Sequence, residues 1–126
     1  IDGLQLPCAD AGGDVRGWFV FVVQLPVGVE RDEVIRALAA AGIQSKPYLP
    51  AIHLMSFYRE RTSLGEGQFP VCESVAERSL ALPFFPEMAE LQVERVAAGM
   101  RDALEGSATP RAAGAARTRS GGMAAS

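Results

Sequence analysis

Side chains that could bind a ligand are concentrated in residues 46–58, KPYLPAIHLMSFY. Tyr48 and Tyr58 offer phenol groups, and His53, the only histidine, offers an imidazole that donates or accepts a proton near neutral pH. Prolines restrict the backbone of this segment and keep it out of a sheet ladder, which is typical of a loop that holds side chains in one place. We therefore expect Tyr48, His53 and Tyr58 to contact a ligand.

Lys46 is the only lysine, since all the other basic residues among the 12 are arginines. A lysine can form a Schiff base with a carbonyl group when its surroundings desolvate the amine. Nothing near Lys46 in the sequence predicts such burial. An exposed or phosphate-facing cation is therefore the simpler interpretation of this residue.

No catalytic residue is predicted from the chemistry of the chain. His53 has no carboxylate in its own motif, and a lone histidine forms neither a catalytic triad nor a metal site, so a structural role is its alternative interpretation. The sequence has no G-x-S-x-G elbow and no G-x-x-x-x-G-K-[ST] phosphate loop. The glutamates spaced like solvated helix faces are Glu73, Glu77, Glu87, Glu90 and Glu94. We expect neither a metal site nor a cofactor site within this chain.

The composition of the 126 residues is typical of a single globular domain. They are 48% hydrophobic and 21% charged, and the net charge of -3 argues against a nucleic-acid surface. No apolar run reaches the roughly 18 residues of a membrane span, and no basic-then-apolar signal segment opens the chain. Cys8 and Cys72 are too few and too far apart for a zinc site or a disulfide framework, so we expect free thiols in a cytoplasmic protein.

The composition changes near the C-terminal end. Residues 106–126 are mainly Ala, Gly, Ser, Thr and Arg, with Met123 as their one large apolar side chain. Such a segment buries too little surface to offset the entropy of ordering, which predicts a disordered, low-complexity tail after a domain over residues 1–105. Because the chain begins at Ile1 rather than Met, we expect this domain to be a piece of a longer protein.

A β-α-β unit is predicted before the ligand-binding segment. Residues 18–25, WFVFVVQL, are rich in aromatic and β-branched side chains without alternation, which predicts a central strand buried on both faces. A helix over 31–41 follows, with apolar residues at helical spacing and Gly42 placed to end it in the left-handed conformation. Residues 43–46 then return as a second strand.

Three further elements are predicted after the ligand-binding segment. A helix over 70–79 starts with a proline suited to the first helical position, a strand covers 80–82, and an amphipathic helix covers 90–104. An edge strand over 3–6 opens the chain. Together these elements predict an α+β fold, a small two-layer sandwich with a mixed sheet of three to four strands and helices packed on one face.

The order of several motifs resembles the C-terminal domain of the DegT/StrS-type sugar aminotransferases, which are fold-type I enzymes dependent on pyridoxal phosphate. In chain order these motifs are WFVFVV, RDEVIRALAAAGIQSKPYLPAIHL, FYRER, FPVCE and LALPFFP. The resemblance covers about residues 4–104, nearly the whole of the predicted domain.

This resemblance implies transfer of an amino group, usually from glutamate, to a keto group of a nucleotide-linked sugar. It implies a homodimer with active sites at the subunit interface. It also implies that an N-terminal large domain, absent from this chain, binds pyridoxal phosphate and supplies the Schiff-base lysine, so that the chain alone is inactive. Two alternatives stay open: a sugar dehydratase, because some relatives replace that lysine with histidine, and a free-standing α+β binding or regulatory module.

The resemblance assigns substrate binding to Tyr48, His53 and Lys46. Tyr48 and His53 match the tyrosine and histidine of the family pattern Y-x-x-P-x-H, in a loop that approaches the substrate. Lys46 is placed to contact a diphosphate, where the family often has an arginine able to bind it bidentately. The chain departs from the family pattern at Ala51, Met55, Ser56 and Ala89.

Overall fold

The computed structural model describes residues 1–107. In chain order the elements are β1 (Phe21–Gln24), α1 (Arg31–Ala40), β2 (Lys46–Pro47), a 3-10 turn (Ile52–Leu54), α2 (Ser56–Arg59), α3 (Pro70–Arg78), β3 (Ser79–Leu82) and α4 (Glu90–Ser107). The predicted helices and the strand before the last helix are confirmed. The proline-rich segment over residues 46–58 is not a simple loop, since it contains the 3-10 turn and α2.

The sheet has the order β1-β3-β2, and both of its pairings are antiparallel. β1 and β2 therefore run in the same direction, joined by α1, while β3 lies between them in the opposite direction. This arrangement confirms the α+β class and corrects one detail, because the sheet in the described residues is antiparallel rather than mixed. The crossover through α1 leaves a gap one strand wide, and β3 fills it.

β1 is not the central strand that its apolar sequence predicted. β3 takes the central place, and beyond β1 lies an isolated bridge from Gln5 to Gln24, at the position of the predicted edge strand. Burial alternates along β1, since Val23 and Leu25 are buried whereas Val22 is only partly buried. β1 is therefore fully buried on one face only. A high β-propensity predicts a strand, but it does not determine the position of that strand in the sheet.

α1 and α4 pack against each other over one face of the sheet. Their contact with β1 and β3 creates the hydrophobic core, which confirms the predicted layering of helices on one face. Each fully buried aliphatic side chain stabilises such a core by about 1.5–3 kcal/mol. The buried core residues are Val23, Leu25, Val34, Leu38, Ile43, Leu80, Met100, Ala103 and Leu104.

Gly42 ends α1, as its position in the sequence predicted. Its φ is 73°, a conformation that glycine adopts without steric cost. The N–H of Gly42 donates to the carbonyl of Ala39 at 3.0 Å, and the N–H of Ile43 donates to that of Leu38 at 2.9 Å. These two bonds form a Schellman motif, which satisfies carbonyls at the end of α1.

α4 extends two residues beyond the predicted domain boundary. Gly106 and Ser107 belong to the helix rather than to the predicted tail, and residues 108–126 of that tail lie outside the described residues. Ala89, just before α4, has no capping side chain. The side-chain oxygen of Gln92 instead accepts the N–H of Ala89 at 2.9 Å, which is half of a capping box.

Two further observations bear on the sequence analysis. Cys8 and Cys72 are both free and exposed, so the prediction of unpaired thiols is confirmed. Among residues 1–107, no helix combines the length and the apolar character needed to cross a membrane.

Candidate functional site

The residues predicted to bind substrate lie on two different parts of the fold. Lys46 is exposed in β2, where its backbone pairs with Ala81 of β3. Tyr48 follows directly and is partly buried, and its N–H donates to the carbonyl of Ser79 at 3.4 Å. His53 lies in the 3-10 turn and is only 8% exposed. No hydrogen bond joins the side chains of Lys46, Tyr48 and His53 in the described part of the chain. Tyr58, also predicted to contact a ligand, is 41% exposed and belongs to α2.

A carboxylate that the sequence analysis assigned to a solvated helix face binds the imidazole of His53. The Nε2 atom of His53 lies 2.8 Å from Oε1 of Glu73, whose side chain is only 16% exposed. An ionised carboxylate only accepts hydrogen bonds, so Nε2 is the donor. The ring of Phe69 meets the imidazole edge-on, with 4.8 Å between ring centroids. The prediction of a solvated Glu73 was therefore wrong.

Glu73 also binds the backbone of the turn before α3. The N–H of Gly67 donates to Oε2 at 2.8 Å, and the N–H of Phe69 donates to Oε1 at 3.0 Å. These two backbone bonds, that of Gly67 first, lower the pKa of the Glu73 carboxyl, and the hydrogen bond from His53 adds to the effect. A local signal of this role existed in the sequence, since Pro70 begins α3 and places Glu73 within reach of the N–H groups before the helix.

An open groove of about 590 Å³ lies beside Glu73. Arg31 is its cation, and the Nη1 atom of Arg31 donates to the carbonyl of Ala76 at 2.6 Å. Three carboxylates, of Glu66, Glu73 and Glu77, outnumber that cation, so the groove favours polar or cationic groups over a diphosphate. None of the three predicted substrate-binding residues lines it. Its lining residues are Arg31, Pro47, Leu49, Pro50, Ala51, Leu54, Met55, Glu66, Glu73, Ala76 and Glu77.

A second groove, of about 700 Å³, is almost wholly apolar. It lies between α4 and the end of the sheet formed by Phe21 and Leu82, where both side chains remain partly exposed. Phe84 and Phe85, 42% and 45% exposed, stand at its margin. The N-terminal residues Ile1, Leu4 and Leu6 form another part of the wall of this groove.

The described residues do not fit pyridoxal phosphate. That cofactor needs a lysine amine for its Schiff base, and Lys46 is exposed in β2 with no carboxylate or phosphate-binding turn beside it. Within residues 1–107 there is also no group of three or more His, Cys, Asp or Glu side chains that could hold a metal ion. No cofactor chemistry is therefore assigned to these residues.

Two curated proteins are similar to this chain over most of its length. It is 39% identical over 104 residues to the UDP-N-acetyl-3-dehydro-alpha-D-glucosamine 3-aminotransferase of Acidithiobacillus ferrooxidans. The aligned region covers 82% of this chain and 26% of that protein. It is 29% identical over 110 residues to the spore coat polysaccharide biosynthesis protein SpsC of Bacillus subtilis, which covers 84% of this chain and 28% of that protein. The chain thus spans about a quarter of the length of these relatives.

Solved structures of aminotransferases share the fold. The aminotransferase TlmJ from Streptoalloteichus hindustanus superimposes with a TM-score of 0.70 at 28% identity, over 84% of this chain and 27% of that chain. A DegT DnrJ EryC1 StrS aminotransferase from Brucella abortus gives 0.65 at 28% identity, over 80% of this chain and 26% of that chain.

The family match covers the same region as the sequence motifs. The model of the DegT/DnrJ/EryC1/StrS aminotransferase family matches residues 3–101, which include every strand and the first three helices. The resemblance inferred from the motifs is thereby confirmed. The chain belongs to the DegT/DnrJ/EryC1/StrS aminotransferase family.

Proposed function

We propose that this chain works as the C-terminal part of a pyridoxal-phosphate-dependent aminotransferase that acts on a keto group of a nucleotide-linked sugar. The observation that carries the proposal is the 39% identity over 104 residues to an aminotransferase named for a UDP-linked 3-dehydro sugar. Glutamate is the proposed amino donor, the cytoplasm the proposed location, and a homodimer the proposed assembly.

The chemistry of the described residues supports a division of labour with an N-terminal large domain. The described residues hold no lysine suited to a Schiff base, so the large domain is proposed to bind pyridoxal phosphate. The chain alone is then proposed to be inactive. The apolar groove beside α4 is the surface proposed to meet that large domain.

Substrate contacts are proposed for Lys46, Tyr48 and His53. The exposed ammonium of Lys46 is free to meet a phosphate group, and the partly buried Tyr48 lies two residues away. His53 is nearly enclosed, and its Nε2 is bound to Glu73, so only the remaining part of its ring is proposed to reach a substrate.

Two measurements test the proposed function. Pyridoxal phosphate added to the purified 126-residue chain is expected to give no stoichiometric aldimine absorption band on Lys46. The protein encoded by the complete reading frame is expected to aminate a UDP-linked 3-keto sugar with glutamate. An aldimine on the isolated chain, or a reading frame without a cofactor-binding domain, would overturn the proposal in favour of a different enzyme or a free-standing module.

A separate experiment tests whether His53 contributes to activity. In the complete enzyme, His53→Ala is expected to lower kcat/KM by a larger factor than the accompanying loss of Tm explains. A variant whose activity follows its folded fraction at every temperature would assign His53 a structural role alone.

A further inference from the structure

Residues 49–69, here called the flap, are joined to the rest of the described chain in an unusual way. The flap contains the 3-10 turn and α2, and most of its backbone hydrogen bonds are internal. Each side-chain hydrogen bond between the flap and the rest of residues 1–107 ends on the carboxylate of Glu73. The donors are His53, Gly67 and Phe69, so one side chain makes all of these polar links.

The flap adds little to the hydrophobic core. The buried core cluster contains no flap residue. Within the flap, Ala51 and His53 are buried at 7% and 8% exposure, whereas most of its large apolar side chains are exposed. Those exposed side chains are Leu49, Ile52, Met55, Phe57, Tyr58 and Phe69. A segment with few buried contacts belongs to the part of a protein that opens at low free-energy cost.

Both ends of the flap have backbone conformations suited to hinges. Leu49 has a φ of 41°, a left-handed conformation that is strained for a residue with a Cβ atom, and it is followed by Pro50. Gly67 has a φ of 84° near the other end. A change of φ at Leu49 toward negative values would relieve this strain, and Gly67 accepts a change of φ without steric cost.

We propose that the flap opens while the α+β core stays folded, with the Glu73 carboxylate as its latch. The groove beside Glu73 is lined partly by the flap and partly by the rest of the chain. Its flap residues include Leu49, Leu54, Met55 and Glu66, whereas Arg31 and Glu77 lie outside the flap. Opening therefore widens this groove. The proposal goes beyond the proposed function and does not depend on it, because it concerns the motion of the chain by itself.

The first test uses the single histidine as a reporter in the 126-residue chain. Diethyl pyrocarbonate modifies an accessible neutral imidazole, and mass spectrometry measures the rate of this modification. The reaction is run at pH 8, well above the ordinary histidine pKa of about 6.5. Glu73→Ala is expected to raise the rate of His53 modification about tenfold or more. The matched control is Glu77→Ala, one helical turn further along α3, which removes the same charge and is expected to leave the rate within about twofold of wild type.

Amide hydrogen exchange gives the second test and needs no variant. In the unaltered chain, the amides of Gly67 and Phe69 are expected to exchange at rates independent of low urea concentrations, since a local opening exposes little surface. The amides of Leu25 and Ile43, both hydrogen-bonded beside the core, are expected to exchange only through global unfolding, so their exchange rates are expected to rise with urea concentration.

Each possible result decides the matter. Equal urea dependence of the flap and core amides would overturn the proposal, because the flap would then open only with the core. An unchanged rate of His53 modification in Glu73→Ala would overturn the role of the latch. If Glu73→Ala proves unfolded, Glu73 holds the whole fold together and the proposed latch is rejected. None of these results bears on whether the complete protein is an aminotransferase.

Discussion

At the scale of single residues, Glu73 is the most informative side chain in the structure. It accepts hydrogen bonds from one imidazole and two backbone N–H groups, and it thereby connects α3, the 3-10 turn and the turn between them. Charge-assisted bonds of this kind are roughly twice as strong as neutral ones. His53 is held by this carboxylate, so its orientation is determined by a residue 20 positions away in the sequence.

The lowered pKa of Glu73 predicts a pH dependence of stability. Its carboxyl titrates below the ordinary value of 4.5 in the folded chain, so the folded state holds the proton less tightly than the unfolded state. The stabilisation is therefore present above pH 4.5 and is lost as the pH falls through the folded pKa. Hydrogen bonds from the backbone N–H groups of Gly67 and Phe69 and from His53 lower this pKa, and partial burial of the carboxyl opposes them.

Urea unfolding of the wild type and of Glu73→Gln between pH 3 and 7 measures this effect. The difference in stability between the two proteins is expected to be largest near neutral pH and to shrink as the pH falls below 4.5. A difference that stays constant over this range would contradict the assignment of a lowered pKa to Glu73.

The left-handed backbone of Leu49 predicts a difference between two small substitutions. Leu49 is 66% exposed, so Leu49→Gly and Leu49→Ala lose similar contacts. Only glycine adopts a φ of 41° without strain, so Leu49→Gly is expected to be more stable than Leu49→Ala by about 1 kcal/mol. Equilibrium unfolding in urea measures both variants, and an Ala variant as stable as the Gly variant would contradict the strained conformation.

At the scale of elements, the contact between α1 and α4 depends on a close approach at Gly99. A Cβ atom built on Gly99 lies within van der Waals overlap of the Ile43 Cδ1 atom and touches Leu38. α1 ends next to this contact in its Schellman motif. Arg95 of α4 also donates to the carbonyl of Ala41 at 3.0 Å. The two helices are thus joined by packing and by a hydrogen bond at the same end of α1.

A double-mutant cycle tests the packing at Gly99. Alanine favours a helix by about 1 kcal/mol over glycine, yet overpacking a buried site costs about 1–3 kcal/mol, so Gly99→Ala is expected to be neutral or destabilising by up to about 2 kcal/mol. Ile43→Val removes the Cδ1 atom, and in that background Gly99→Ala is expected to be stabilising. The changes in free energy of unfolding caused by Gly99→Ala and by Ile43→Val would be additive in the double variant if the helices did not meet at this point.

At the scale of the whole molecule, the apolar groove beside α4 is the surface proposed to meet the rest of a longer protein. The groove exposes apolar side chains beside α4, and the chain spans about a quarter of its relatives' length. This occupant agrees with the proposal that the chain is the C-terminal part of an enzyme whose cofactor is bound elsewhere.

Substitution at Phe85 tests this occupancy. Phe85 is 45% exposed in the chain as described, so Phe85→Asp is expected to change the stability of the 126-residue chain by about 1 kcal/mol or less. In the complete protein the same change is expected to lower Tm by several degrees, because a charge would then be buried. Val15→Asp, at a site 89% exposed and away from the groove, is the control. Equal shifts of Tm for both variants would contradict burial of Phe85.

The sequence alone determined the longer helices and the family, whereas the strand predicted over residues 43–46 lies at Lys46–Pro47. Helical spacing over 31–41 and 90–104, the glycine that ends α1 and the order of the motifs are properties of neighbouring residues, so they could be read without a structure. The α+β class followed from the same patterns. The placement of Tyr48, His53 and Lys46 at a substrate remains a prediction, since their closeness to a nucleotide-linked sugar depends on parts of the protein beyond residues 1–107.

Only the tertiary structure decided which distant residues meet. It placed β3 rather than β1 at the centre of the sheet, made every pairing antiparallel, and brought Glu73 to His53. These outcomes depend on how the chain folds back after α1 and after the flap. Local propensity and periodicity describe which face of an element is apolar, but the partner of that face is selected by the packing of the whole domain.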